Sequence, residues 1–221
     1  MKIEKEVRYY FSNKFFSNVA KMIKKSYKYT HSYHEITTMY DNPNPDLTFY
    51  SKEIDGRLRL RYSKKTDEPM FGKSYDNNID QSQCLITWKR RIPSGREGAV
   101  RCEEEVEYMV DAKEFDSVKF IFEDVIKCKR VSSYERIRSF FSTDSIQITI
   151  DQFPFGIMVE FELKDDADEK LMLDEIEKNG LSHRDASNLS CDDMYNKLCL
   201  EQYVTPLSDI LFSDKTMPKI K

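Results

Sequence analysis

Apolar and polar residues alternate with a period of two along most of the chain, and stretches of helical period interrupt the alternation. Residues 2–10 put Ile3, Val7 and Tyr9 on one face and Glu4, Glu6 and Arg8 on the other, the pattern of a half-buried strand. Ser12–Ser26 aligns Phe15, Val19, Met22 and Ile23 on one stripe and predicts a helix. Tyr40–Leu47, broken by Asp, Asn and two Pro, predicts a loop between strands. Strands are then predicted at about 47–51, 57–63, 84–91, 100–110, 132–142, 145–151 and 157–164, with 64–83 as a long exposed connection. Asp111–Cys128 and Asp168–Asn179 read as helices, the second stopped by Gly180. A last helix is expected at 191–203, where Ser190 and Asp193 form a capping box ahead of Met194 and Leu198. The tail, 205–221, carries two Pro and scattered charge and is expected to be loosely held, which sets a single domain at 1–204. The class is α+β, with about eight antiparallel strands and helices packed outside.

Composition narrows the function classes. The 221 residues suit one domain, and thirteen Tyr and fourteen Phe against six Gly exclude a disordered chain. No apolar run approaches the ~20 residues that span a bilayer, and MKIEKEVRYYF has no signal-like segment. A soluble, intracellular, cytoplasmic protein without a membrane partner is therefore expected. Cys84, Cys102, Cys128, Cys191 and Cys199 include no CxxC pair, so they read as thiols rather than a zinc or disulfide framework. The net charge of -4 argues against an extended nucleic-acid track and leaves room for a local basic pocket. GxxxxGK[ST] and GxGxxG are absent, and His31 and His34 have only one further His to make a metal site with. Oligomeric state is not legible.

The polar faces of the strands carry charges at successive i, i+2 positions. Arg57, Arg59 and Arg61 share a parity, as do Arg101, Glu103, Glu105 and Glu107, Arg136 and Arg138, and Glu160 and Glu162. A solvated sheet face would look similar. The helices, however, need the apolar parity to cover, which sends the charges either to bulk water or into the lumen of a closed barrel. They are also sorted, acidic on the first and last strands and basic on 57–61 and 136–138. A lumen lined with both signs needs partners for its charges: a divalent cation for the carboxylates and a polyphosphate for the arginines.

This arrangement resembles the CYTH domain, the triphosphate tunnel metalloenzyme family. Glu4-Lys5-Glu6-Val7-Arg8 is similar to its ExExK opening, with Arg in place of Lys. Tyr40-Asp41-Asn42-Pro43, Leu58-Arg59-Leu60-Arg61, Leu85-Ile86-Thr87-Trp88-Lys89 and Val100-Arg101-Cys102-Glu103-Glu104-Glu105 resemble successive family segments, in order. Ile150-Asp151-Gln152 followed by Gly156-Ile157-Met158-Val159-Glu160-Phe161-Glu162 is similar to the family's Leu-Asp and Gly-x-Phe-Val-Glu-x-Glu. Arg136-Ile137-Arg138-Ser139-Phe140 also resembles a strand of the viral and fungal RNA triphosphatase branch. The departures are Arg8, which removes a deprotonatable amine, and the long 62–84 stretch, expected at one tunnel mouth.

The resemblance implies a closed eight-stranded antiparallel β-barrel whose tunnel binds a triphosphate. Arg8, Arg59, Arg61, Lys89, Arg101, Arg136 and Arg138 would contact the phosphates. Glu4, Glu6, Glu160 and Glu162 would hold Mg²⁺ or Mn²⁺ and, with Lys89, carry the catalysis; Glu103, Glu105 and Asp151 would add metal contacts. Arg57 is left as a solvated strand-end residue, Glu104 has the wrong parity, and Glu107 is placed beyond the rim. The implied partner is a triphosphate-bearing small molecule or an RNA 5′ end. Hydrolysis of the terminal phosphate of tripolyphosphate, a nucleoside or thiamine triphosphate, or RNA is the expected reaction, since no base-reading feature is recognised. The alternatives are cyclisation of ATP to cyclic AMP with release of pyrophosphate, as in class IV adenylyl cyclases, and a binding module without turnover.

Overall fold

The computed structural model describes residues 2–68, 70–71, 81–92, 100–164 and 167–221. Eight strands form one closed antiparallel ring: β1 (Lys2–Phe11), β2 (Lys28–Asp41), β3 (Gly56–Thr66), β4 (Ser82–Arg91), β5 (Arg101–Val110), β6 (Lys129–Ser142), β7 (Ile146–Phe153) and β8 (Gly156–Leu163). Around the ring the order is β1-β5-β4-β3-β2-β6-β7-β8, and β8 returns to β1. The fold class expected from the sequence is thus the one observed. Closure leaves no free edge and gives every strand an inner and an outer face.

Apolar parities turn outward, where helices cover them. Val19, Ala20 and Ile23 of α1 (Phe16–Ser26) pack with Met172 and Ile176 of a later helix (Glu169–Lys178) against Val7, Ile148, Ile150, Val159 and Phe161. On another side α2 (Phe115–Phe120), continued by a π-helical turn at Ile121–Val125, sets Phe122 against Tyr40, Leu60 and Cys84. In chain order Glu169–Lys178 is α3 and Cys191–Gln202 is α4. α4 begins with the expected capping box between Ser190 and Asp193.

Three expectations change. The segment 47–51 is not a strand: Asn44 caps a 3₁₀ turn at Pro45–Leu47, and the Asp41 carboxylate accepts from the Thr48 hydroxyl at 2.6 Å and the Phe49 amide at 2.7 Å, which fixes a turn. The connection expected at 64–83 is only partly described. Residues 64–66 complete β3, and Phe71 is buried against Phe16, Tyr29 and Phe141 rather than exposed; residues 72–80 lie outside the described set. The tail is not loosely held. Asp209–Ile210 pairs in parallel with Ser133–Tyr134 as β9, Ile210 and Met217 are buried, and the Ile220 amide donates to the Phe155 carbonyl at 2.9 Å. Ile210 and Met217 join Leu198 and Cys199 of α4, with Met39, Tyr134, Phe153 and Met158, in an apolar plug at one end of the barrel. The tail thus has its own apolar residues to bury, which outweighs its charges.

Candidate functional site

The parity read from the sequence is the one that lines the barrel. A cavity of about 440 Å³ is bounded by Glu4, Arg8, Arg59, Arg61, Lys89, Glu105, Arg136, Arg138, Glu160 and Glu162 from the expected set. Glu107, expected beyond the rim, also lines it. Ser190 and Cys191, at the start of α4, lie against one end. Glu6, Glu103, Arg101 and Asp151 are buried but stand behind the lining residues.

On the acidic side β1 runs between β5 and β8, so Glu4 pairs with Glu103, Glu6 with Arg101 and Glu162, and Arg8 with Glu160. Arg8 Nε donates to Glu160 at 2.6 Å, and its Nη2 lies 2.5 Å from Glu6 Oε1 and 3.8 Å from Glu103. Lys89 Nζ bridges Glu4 at 2.5 Å and Glu105 at 2.9 Å. Complete burial pushes Glu6 up to about 8 despite Arg8, whereas Arg8 and Arg138 overcome burial and hold Glu160 well below the carboxylate range. Burial and a hydrogen bond shared with Glu4 take Glu105 to about 9.

The basic side is built by β3 and β6. Arg136 Nε donates to Glu35 at 2.6 Å and its Nη1 to Asp151 at 2.9 Å; Arg138 holds both Asp151 oxygens at 2.6 Å. Asp151, expected among the metal contacts, therefore has its oxygens on two guanidiniums and orients the arginine wall. Arg61 donates to Thr37 at 3.2 Å and lies 3.7 Å from Glu35. Arg59 Nε, Arg136 Nη2 and the Tyr134 hydroxyl are buried without a hydrogen-bond partner, donors of the kind an anion satisfies. Arg101 faces elsewhere: it binds Glu103 at 2.5 Å and the Asn188 carbonyl at 2.8 Å, tying the segment before α4 to the barrel. Arg57 is not solvated; it contacts Asp192 of α4 at 3.3 Å and lies over the Tyr50 ring.

Glu4, Glu6 and Glu103 can each offer an oxygen within 4.8 Å of the others, and both Glu6 oxygens lack a hydrogen bond. An all-carboxylate set whose oxygens converge fits a hard divalent cation. Arg8 stands among the same carboxylates, so guanidinium and cation compete for Glu6. Glu35 was missed from the sequence. On β2 the inner positions run Tyr33, Glu35, Thr37, Met39, a single charge with no i, i+2 companion to mark it.

No family model matches the chain, and no curated protein matches it. Solved structures do. A protein of Pyrococcus horikoshii superposes with a TM-score of 0.60 at 18% identity, over 88% of this chain and 98% of that one. A candidate adenylate cyclase from Vibrio parahaemolyticus gives 0.59 at 20%, over 88% and 98%. A candidate adenylyl cyclase from Hippeastrum, described as having a dominant triphosphatase activity, gives 0.58 at 14%, over 89% and 96%. The chain has a CYTH-type fold. Among the described residues no helix is long and apolar enough to cross a membrane.

Proposed function

We propose that the protein is a divalent-cation-dependent triphosphatase that removes the terminal phosphate of a triphosphate held inside the barrel. The observation that carries this reading is the meeting, in one cavity, of an arginine wall with unpartnered donors and a cluster of carboxylates whose oxygens converge. Arg59, Arg61, Arg136 and Arg138 bind phosphate oxygens, Arg by planar two-point contact. Glu35 and Asp151 hold Arg136 and Arg138 in place before substrate arrives, and Glu35 also faces Arg61, so little reorganisation of these three is left for the reaction. Glu4, Glu6 and Glu103 would hold Mg²⁺ or Mn²⁺, with Glu160 and Glu162 on the neighbouring strand, and Lys89 would donate to a phosphate oxygen. When bound, the cation supplies neutralisation of phosphate charge and Lewis acidity. The Cys191 thiol lines the cavity, and burial pushes it up, which disfavours it as a nucleophile; the hydrolysis proposed transfers the phosphoryl group to water.

The test is product analysis after incubation with tripolyphosphate, ATP or 5′-triphosphate RNA, each with Mg²⁺ or Mn²⁺. Orthophosphate is the expected product, and Glu160→Ala is expected to lower its release at least roughly 100-fold, the scale on which one electrostatic group acts in such sites. Pyrophosphate with cyclic AMP would make the protein a cyclase. Tight binding without any product would make it a binding module.

A further inference from the structure

The cavity changes character at the end away from α4. His31 stacks on Phe140, with ring centroids 4.4 Å apart and planes 17° from parallel, and Tyr33 meets both rings edge-on at 5.2 and 6.3 Å. All three line the cavity, as do Leu85 and Met109. None of these five belongs to the apolar clusters that pack the helices and the plug. Tyr33 is buried, whereas His31, Leu85 and Phe140 are half-buried and Met109 is exposed. A register shift in β2 between Tyr29 and His31 creates the stack: Tyr29 turns out to pack on Phe141, while His31 turns in beside Phe140. Irregularities of this kind re-aim side chains near sites.

The position relative to the arginines gives the feature its meaning. Phe140 follows Arg138 on the same inner face of β6, and the Arg138 guanidinium lies 5.9 Å from its ring centroid. From Arg136 to Phe140 the strand advances roughly 13 Å, about the reach of a phosphate chain with a ribose attached. In the ring of eight strands β5 stands four places from β6, and its Met109 lines the same cavity as Phe140. An aromatic stack with a polarizable thioether lining the same cavity offers a slot to a flat ring. Inorganic tripolyphosphate has no group to fill it.

Resting on the triphosphatase reading, we propose that this slot binds the aromatic base of a nucleoside 5′-triphosphate, stacked on His31 and Phe140, while the phosphates lie along the arginine wall. Base and phosphates are then read by different residues, β6 supplying Phe140 to the one and Arg136 and Arg138 to the other.

Equilibrium binding separates the two claims. The probes are β,γ-methylene ATP and methylene-bridged tripolyphosphate, both with Mg²⁺ and neither hydrolysed. The wild-type protein is expected to bind the nucleotide roughly tenfold or more tightly than the inorganic analogue, the gain that one base–aromatic stack provides. Phe140→Ala is expected to erase that preference and Phe140→Trp to keep it, which also guards against a variant that fails to fold. Equal binding of the two probes by the wild type, or equal weakening of both by Phe140→Ala, would overturn the slot and leave the triphosphate reading standing. Failure of both probes to bind would overturn that reading, and the slot with it. A 5′-triphosphorylated oligonucleotide that binds more tightly than the mononucleotide would support the slot and assign it to an RNA end.

Discussion

Glu35 illustrates how one buried carboxylate can organise a basic wall. It receives Arg136 at 2.6 Å and the Ser63 hydroxyl at 3.1 Å and lies 3.7 Å from Arg61. Burial opposes its ionisation, yet Arg136, Arg61 and Arg138 together hold it down from the usual 4.5 to about 2. A depressed folded-state value contributes stability above the unfolded value, and that contribution is lost as pH falls from about 4.5 to about 2. Glu35→Gln is therefore expected to cost about 3 kcal/mol at pH 7, with the gap to wild type narrowing through that window in denaturant melts at a series of pH values. An unchanged gap would mean that Glu35 does not titrate against the arginines. Glu35 also marks the limit of reading from sequence. Arg59 with Arg61, Arg136 with Arg138 and Glu160 with Glu162 announce themselves in pairs, whereas a lone Glu among Tyr and Thr does not.

At the scale of elements, the alternating strands were legible because their inner and outer faces differ so sharply. The long β2 was missed: Ser32, Thr37 and Thr38 are buried in a strand that carries little apolar alternation, and a register shift breaks its parity at Tyr29. The tail was misread because charge density says nothing about the few apolar residues that dock. Ile220 sits directly on Gly156, where an added Cβ would come within 2.4 Å of its Cδ1 and 3.1 Å of the Phe11 carbonyl. Gly156→Ala is accordingly expected to destabilise by about 1–3 kcal/mol, as overpacking does, and to raise amide exchange in α4 and residues 209–220. If exchange there is unaffected, the tail does not hold the plug. Ile220→Ala in the same background should recover part of the loss by making room.

The whole molecule buries charged side chains such as Glu4, Arg8, Glu35, Arg136 and Glu160 inside its ring and sets its apolar strand faces beneath helices. The cost of this arrangement is repulsion among Glu4, Glu6 and Glu103, which Arg8, Lys89 and Arg101 offset only in part. A cation that binds the folded ring and not the unfolded chain must stabilise it. Mg²⁺ at about 100 times its dissociation constant is expected to add about 2.7 kcal/mol, seen as a higher Tm that EDTA reverses and that Glu4→Gln/Glu6→Gln abolishes. A Tm indifferent to Mg²⁺ would remove these carboxylates from the cation site.

The place of β1 in the ring also sets a timetable. Its neighbours, β5 at Arg101–Val110 and β8 at Gly156–Leu163, are both made long after it. A nascent chain on the ribosome therefore carries Glu4 and Glu6 with no strand to receive them until residues 101–103 emerge. The charged interior comes into being only when residues near 160 emerge, and until then the first strand is a hydrogen-bonding edge exposed to other chains.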